Sequence, residues 1–131
     1  MITKVSTVCI FVNDQDAAKA FYTEKLGFEV HLDVPMGPDS RWVAVAPKGA
    51  ETEVILYKPD QNWEHYRQVV GKSQAVTFEV KDLDAFIAEL KGKGVKIMVA
   101  PTREGWGYHA IILDHENNAL LLVEEPKQEQ Q

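Results

Sequence analysis

The stretch that decides the fold is VCIFVNDQDAAKAFYTEKLGFEV, residues 8–30, because a second stretch of the chain repeats its plan. AVTFEVKDLDAFIAELKGKGVKI, residues 75–97, has the same order of apolar run, aspartate-containing turn, helical pattern and glycine. Asp14 matches Asp82 at an offset of 68 residues, whereas Gly27 matches Gly94 at an offset of 67, so the second helix is one residue shorter. An internal repeat constrains the architecture more firmly than a single segment does, and this one predicts two copies of one module.

Each half has the local signals of a strand followed by a helix. The opening residues alternate in polarity as in a strand, and the next apolar residues are spaced as on one face of a helix. Asp14 and Asp82 are placed to cap the helices, and Gly27 and Gly94 to end them. The further strand-like runs are residues 28–34, 41–46 and 53–57 in the first half, and 95–99, 108–113 and 119–124 in the second.

These elements predict an α+β fold of two βαβββ modules with mixed, curved sheets. Each helix covers only one face of its strands, so the other faces are expected to enclose a cavity. We expect one domain over residues 1–125, with modules at about 1–59 and 73–125. A linker with a short helix is expected at 60–72 and a mobile polar tail at 126–131.

Composition excludes several classes of protein. The 131 residues carry 14 Lys+Arg against 20 Asp+Glu, a net charge of −6, and the basic residues are scattered, which argues against nucleic acid as a partner. No apolar run approaches the ~20 residues of a membrane-spanning helix, and the N-terminus lacks the pattern of a signal peptide. The single Cys9 excludes a disulfide scaffold. We therefore expect a cytoplasmic protein without a membrane partner, whose acidic balance is compatible with a cationic small molecule.

Two motifs resemble a known family. VNDQDAAKAFYTEKLGFEV, residues 12–30, resembles the opening signature of the vicinal oxygen chelate superfamily, which includes glyoxalase I, extradiol dioxygenases, fosfomycin resistance enzymes and bleomycin-binding proteins. ILDHENNALLLVEE, residues 112–125, is similar to a worn version of that family's Asp-Pro-Asp-Gly-Asn turn and last strand. The resemblance covers about residues 2–125 and implies a glyoxalase/bleomycin resistance-like fold, but this fold supports several chemistries.

The resemblance also implies where a metal would bind, since metal-dependent members take ligands from the first, fourth, fifth and eighth strands. The corresponding positions here are Thr7, Val54, Ala75 and Leu121. A hydroxyl, a methyl group and branched alkyl groups do not hold a divalent cation against water, so we expect no metal and no cofactor. A shift of one residue would substitute Ser6, Glu53, Gln74 and Leu120. That shift would also reverse which residues face the cavity.

The strand faces turned away from the helices are the predicted binding surface. His109 matches Trp42 at an offset of 67, so an imidazole and an indole occupy equivalent positions in the two halves. Trp42 is suited to stacking on a flat or cationic ligand and His109 to hydrogen bonding or general base catalysis, unless both only fill core space. Glu79 either meets a cationic ligand or is solvated. The predicted ligand-binding residues are Thr7, Cys9, Phe11, Trp42, Val54, Ala75, Thr77, Glu79, Trp106, His109, Ile111 and Leu121.

Two details of this surface have alternative interpretations. Cys9 faces the cavity, but a thiol among apolar neighbours is usually inert and serves packing. The glycine-containing segments at residues 36–42 and 103–109 are either flaps at the mouth of a pocket or plain surface loops.

Three functions remain open at this point. The first is binding of a small aromatic or cationic molecule without a metal, as in the drug-sequestering resistance proteins of the superfamily. The second is a glyoxalase-like lyase or isomerase, or an enzyme related to the dioxygenases, with atypical or no metal ligands. In it His109 and Glu79 act as acid and base, or a metal is recruited through other ligands. The third is a structural or regulatory dimer whose cavity is filled by side chains. The resemblance implies a homodimer in each case.

Overall fold

The computed structural model describes residues 1–38, 40–59, 70–71 and 76–126 of the chain. It divides into two compact units. The first unit comprises Met1–Ser73 with His115–Asn118, and the second comprises Gln74–Asp114 with Ala119–Gln131. The predicted helix at 60–72 lies almost entirely outside the described residues, as does most of the predicted tail.

The first unit is a four-stranded mixed sheet with one helix. Its elements are β1 (Thr7–Phe11), α1 (Gln15–Ala20) continued by a π-helical segment (Phe21–Lys25), β2 (Glu29–Gly37), β3 (Ser40–Ala46) and β4 (Glu53–Tyr57). The strand order is β1-β4-β3-β2, in which β1 and β4 are parallel and the other pairs are antiparallel.

The second unit repeats this plan. Its elements are β5 (Val76–Val80), α2 (Leu83–Gly92), β6 (Lys96–Glu104), β7 (Gly107–Leu113) and β8 (Ala119–Glu124). The strand order is β5-β8-β7-β6, and the first and last strands of the unit, β5 and β8, are again parallel neighbours. Two mixed sheets of the same topology confirm the predicted α+β fold.

The helices begin and end where the sequence predicts. The Asp14 carboxylate accepts a hydrogen bond from the Ala17 amide at 2.9 Å, and the Asp82 carboxylate one from the Ala85 amide at 3.1 Å. Gly27 and Gly94 both have φ +79°, the left-handed conformation that ends a helix cheaply in glycine. Among the described residues, no helix is long and apolar enough to cross a membrane.

The extra residue of the first helix forms its π-helical segment. The Leu26 amide donates to the carbonyl oxygen of Phe21 at 3.3 Å, five residues back rather than four. The chain then reaches the same glycine stop as in the second unit, with the Gly27 amide bonded to the Thr23 carbonyl oxygen.

In each unit a core lies between the helix and one face of the sheet. In the first unit Val8 pairs with Val54 and Ile10 with Leu56, so these side chains share the face beneath α1. In the second unit Leu83 and Leu90 of α2 are fully buried. The sheet residues Ile112, Leu120 and Leu122 are at most 2% exposed. Burying one such side chain stabilises the fold by roughly 1.5–3 kcal/mol.

The segment His115–Asn118 belongs to the first unit because its polar side chains bind that unit's backbone. The Glu116 carboxylate accepts hydrogen bonds from the amides of Asn13 and Asp14 at 2.6 and 3.2 Å. The Asn118 side-chain amide donates to the Phe11 carbonyl oxygen at 3.2 Å. The division into modules at about 1–59 and 73–125 stays a prediction.

The segments at residues 36–42 and 103–109 contain the ends of two β-hairpins, and a role of either as a flap stays a prediction. Gly37 pairs with Ser40 and Glu104 with Gly107, so only two residues connect the strands in each hairpin. The strands β2 and β6 therefore extend beyond their predicted ends at Val34 and Val99.

Candidate functional site

In the first unit, one face of the sheet points away from α1 and carries aromatic side chains. Phe11 pairs with Tyr57, and their rings make an edge contact with centroids 6.2 Å apart. Ala44 pairs with Ile55, so Trp42, two residues before Ala44 on β3, lies on the same face. We call Phe11, Tyr57 and Trp42 the aromatic row. Each of its side chains is half-buried.

Three other features of this face complete the description. Thr7 and Cys9 lie on it, beside Glu53 and Ile55 respectively. Cys9 is half-buried, and desolvation by burial raises the pKa of its thiol. The Glu53 carboxylate lies 2.7 Å from Nδ1 of His31.

Val54 does not lie on this face. It pairs with Val8 on the side covered by α1 and is 3% exposed. The residue of β4 equivalent to Leu121 is Ile55, because Cys9 pairs with Ile55 as Thr77 pairs with Leu121. The offset of 67 residues becomes 66 here, since the connection from β3 to β4 is one residue longer than that from β7 to β8.

The side chains at the family's metal positions do not fit a divalent ion. With Ile55 in place of Val54, three of the family's four metal positions hold Thr7, Ile55 and Leu121. The fourth, Ala75, lies outside the described residues. No group of three or more His, Cys, Asp or Glu side chains in the described part of the chain is placed to hold a metal. That the protein binds no metal and no cofactor remains a prediction.

In the second unit, the equivalent face carries a polar row. Glu79 of β5 pairs with Val123 of β8, Val123 pairs with His109 of β7, and His109 pairs with Thr102 of β6. Laterally paired residues point to the same face, so these four side chains form one line across the sheet. We call Glu79, Val123, His109 and Thr102 the polar row.

His109 is a buried imidazole with an unused nitrogen. The residue is 9% exposed, and Nδ1 is buried without a hydrogen-bond partner among the described residues. The indole of Trp106 lies against it, with ring centroids 4.7 Å apart and planes inclined at 37°. Buried polar atoms are nearly always paired, so the missing partner of this nitrogen is exceptional and needs an explanation.

Trp106 covers this imidazole from an exposed position. It lies in the two-residue connection of the β6–β7 hairpin, between Gly105 and Gly107, and is 62% exposed. A large aromatic side chain exposed to this extent beside a buried polar atom is typical of a binding surface.

A cavity of about 430 Å³ opens at the end of this sheet. Glu79, Val123 and Trp106 line it, together with Arg103 and Glu124. This volume lies in the range of small-molecule sites. A larger cleft of about 1100 Å³ adjoins it on the side of α2.

Two of the four charged residues that line the cavity are already engaged. The Arg103 guanidinium lies 4.7 Å from the centre of the Tyr108 ring, and the Glu124 carboxylate accepts from the Leu83 amide at 3.0 Å. The Tyr108 hydroxyl donates to Asp84 at 2.7 Å, and this hydrogen bond raises the pKa of Tyr108. No described residue pairs with the carboxylate of Glu79.

The remaining predicted residues can now be placed. Thr77 and Leu121 pair with each other, and Ile111 pairs with Leu121, so all three share the face of the polar row. Trp42 and His109 each lie on the helix-free face of their own sheet. That they line one cavity stays a prediction.

Sequence reasoning missed Tyr57 and Val123. Both occupy the last strand of their unit beside a residue that was predicted, Phe11 and Glu79 respectively. Projecting the parallel pairing of first and fourth strands would have found them.

These features define a protein with two βαβββ sheets, whose helix-free faces carry the aromatic row and the polar row. The chain belongs to the glyoxalase/bleomycin resistance protein/dioxygenase superfamily, whose model matches residues 4–122. The family predicted from the two motifs is thereby confirmed.

Individual relatives extend this assignment over nearly the whole chain. YetH of Bacillus subtilis (strain 168) is 37% identical over 124 residues, which are 95% of this chain and 100% of YetH. The structure of TnmS3, an antibiotic binding protein from Streptomyces sp. CB03234, matches with a TM-score of 0.82 at 32% identity and covers 94% of this chain and 96% of TnmS3. A superfamily member from Sphaerobacter thermophilus DSM 20745 matches with a TM-score of 0.86 at 32% identity, covering 95% of this chain and 98% of its own.

Proposed function

We propose that the protein binds a small aromatic or cationic molecule without converting it, as a drug-sequestering protein does. The observation that carries this proposal is the buried, unpaired Nδ1 of His109 beneath the exposed indole of Trp106. The indole offers an apolar plane and the imidazole one directional hydrogen bond. Together these two groups can bind a ligand, and neither of them requires a catalysed reaction as its explanation.

The spacing of the polar row favours binding over acid–base catalysis. His109 and Glu79 stand on strands separated by β8, so their Cα atoms are about 10 Å apart at the usual strand spacing. No hydrogen bond joins the two side chains within the described residues. A proton passes directly between an acid and a base only where the two groups are in contact, which these two strands do not provide.

The similarity to TnmS3 supports the same conclusion. That protein is an antibiotic binding protein, and it shares 32% identity and the fold over 94% of this chain. An antibiotic is a reasonable ligand for this chain as well. Capture of a drug requires affinity, which aromatic surface and a few polar groups supply.

The proposal includes a cytoplasmic homodimer. Edge strand β2 exposes Leu32, Val34 and Met36 at 46%, 38% and 50%, an apolar strip that a second copy can cover. Light scattering coupled to size exclusion should give about twice the chain mass of 14.8 kDa. A mass of one chain at micromolar concentration would contradict the dimer.

Titration with a panel of antibiotics tests the binding function. We expect quenching of tryptophan fluorescence by at least one of bleomycin, an anthracycline and an aminoacridine, with the compound recovered unchanged by mass spectrometry. A Trp106→Leu variant should bind that compound more weakly, whereas Trp106→Phe should retain most of the affinity. A chemically altered compound, or no saturable binding to any of the panel, would overturn the proposal.

A further inference from the structure

The polar row of the second unit is not a requirement of the fold. In the first unit the positions equivalent to Glu79, Val123 and His109 are held by the aromatic row, at offsets of 68, 66 and 67 residues. The same strands and pairings thus accept either set of side chains. A carboxylate and a buried imidazole at these positions therefore need an explanation other than folding.

The charge around the cavity favours a cation. Glu79, Glu124 and Glu125 line it against the single cation Arg103. The guanidinium of Arg103 lies on the Tyr108 ring, and Glu124 is bonded to a backbone amide. The carboxylates of Glu79 and Glu125 are left to attract a positive group of a ligand, and of the two only Glu79 belongs to the polar row.

The two unused groups flank one side chain. Glu79 and His109 pair with Val123 from opposite sides, so each backbone lies about one strand spacing, roughly 4.8 Å, from that of Val123. A protonated amine above Val123 would lie between the two residues. The indole of Trp106 contacts His109 and adds a face that attracts cations or stacks on a ring.

Resting on the proposed function, we propose that the ligand of the second unit is an arylalkylamine, an aromatic ring that carries a basic alkylamine. Its ammonium group binds between Glu79 and Nδ1 of His109, and its ring lies against Trp106 and Val123. An ammonium only donates hydrogen bonds, so this ligand selects the neutral imidazole with its proton on Nε2. The ligand is thus both aromatic and cationic, and the polar row distinguishes it from uncharged aromatic molecules.

Two isosteric probes test the inference. 2-Naphthylmethylamine is protonated at neutral pH, whereas 2-naphthalenemethanol has the same shape without the charge. We expect the wild-type protein to bind the amine at least about fivefold more tightly in calorimetric titrations, a difference of about 1 kcal/mol. Glu79→Gln preserves the side-chain size and should reduce this preference to less than about twofold.

Matched variants separate the roles of the residues. Glu51→Gln removes a carboxylate that is 82% exposed in the first unit and should leave the preference unchanged. Trp106→Leu should weaken both probes alike. Proton-detected nitrogen spectra of the imidazole should show Nδ1 of His109 unprotonated in the amine complex. Glu79 is exposed, so its replacement does not disturb the core.

The outcomes distinguish this inference from the proposed function. Equal affinities of the wild-type protein for the two probes, or a preference that survives Glu79→Gln, would overturn the arylalkylamine as the ligand while binding itself still stands. If neither probe binds but an antibiotic from the panel does, this inference is overturned and the proposed function stands. Failure of every compound would overturn the proposed function as well.

Discussion

Replacement of Asp33 by Asn tests the charged network that fixes the β2–β3 hairpin, and with it Trp42, to α1. The Asp33 carboxylate accepts hydrogen bonds from Nε and Nη2 of Arg41 at 2.8 and 2.9 Å and from Nζ of Lys19 at 2.8 Å. The side chain of Asp33 is 20% exposed. A hydrogen bond to a charged group contributes about 1.5–3 kcal/mol, and an exposed ion pair about 0.2–1 kcal/mol. For this partly screened site we expect Asp33→Asn to lower the free energy of unfolding by about 2 kcal/mol.

The same network gives the effect a dependence on pH. The hydrogen bonds from Arg41, and then those from Lys19, hold the pKa of Asp33 well below its usual range. Because the unfolded chain binds a proton more readily, the stabilisation is complete above the ordinary carboxyl pKa of about 3.9 and is lost as the pH falls further. Urea unfolding at about pH 7 and about pH 3 should therefore show a smaller cost of Asp33→Asn in acid.

Asp16→Asn is the matched control for this experiment. Its carboxylate lies 2.7 Å from Nη1 of the same Arg41, but the side chain is 84% exposed. We expect a cost below about 1 kcal/mol. An equal cost of both variants at neutral pH, or a cost of Asp33→Asn that does not change with pH, would refute the reasoning.

Three smaller predictions concern single residues. Burial raises the pKa of the Cys9 thiol, so Ellman's reagent should react with it more slowly than with free cysteine until the protein unfolds; equal rates in the folded protein would contradict this. Gly71→Ala should lower the free energy of unfolding by about 2 kcal/mol or more, because its φ is +76° and a Cβ would lie 2.7 Å from the Glu116 carbonyl oxygen. Gly27→Ala, with φ +79° and open space around it, should cost only about 1 kcal/mol in the same urea titration, and an equal loss would argue against the steric contact. The hydrogen bond from Tyr108 to a carboxylate raises its pKa, so Tyr108→Phe should remove a tyrosine signal that titrates above the ordinary pKa of about 10.

The topology could be predicted from the sequence because the repeat appears in its strands, caps and glycine stops together. The ends of β2 and β6 could not, since Pro35 and Pro101 look like strand breaks. Both strands lie at the edge of their sheets. A proline is tolerated there because an edge strand has a neighbour on one side only, and an amide on the other side has no strand to donate to. The pairings Pro35 to Arg41 and Arg103 to Tyr108 continue each hairpin past that point.

The faces of the candidate site could also be predicted, because side chains alternate along a strand. The error at Val54 arose from an offset that changes with the length of one connection, and such a change leaves no periodic signal in the sequence. The contact of Trp106 with His109 depends on a hairpin turn and on rotamers. The unused nitrogen of His109 follows from burial of the whole ring, which only coordinates reveal.

The π-helical segment Phe21–Lys25 indicates how a chain built from two similar halves can accommodate an insertion in one of them. One extra residue in a regular helix would turn every following side chain by about 100° and carry Phe28 and β2 out of register. Here the wider turn absorbs the insertion within five residues, and Gly27 adopts the same conformation as Gly94. The connection before β4 absorbs the second length difference in the same local way. Ancestral halves of equal length can therefore gain and lose residues at these two places while the sheets, and the rows of side chains across them, evolve separately.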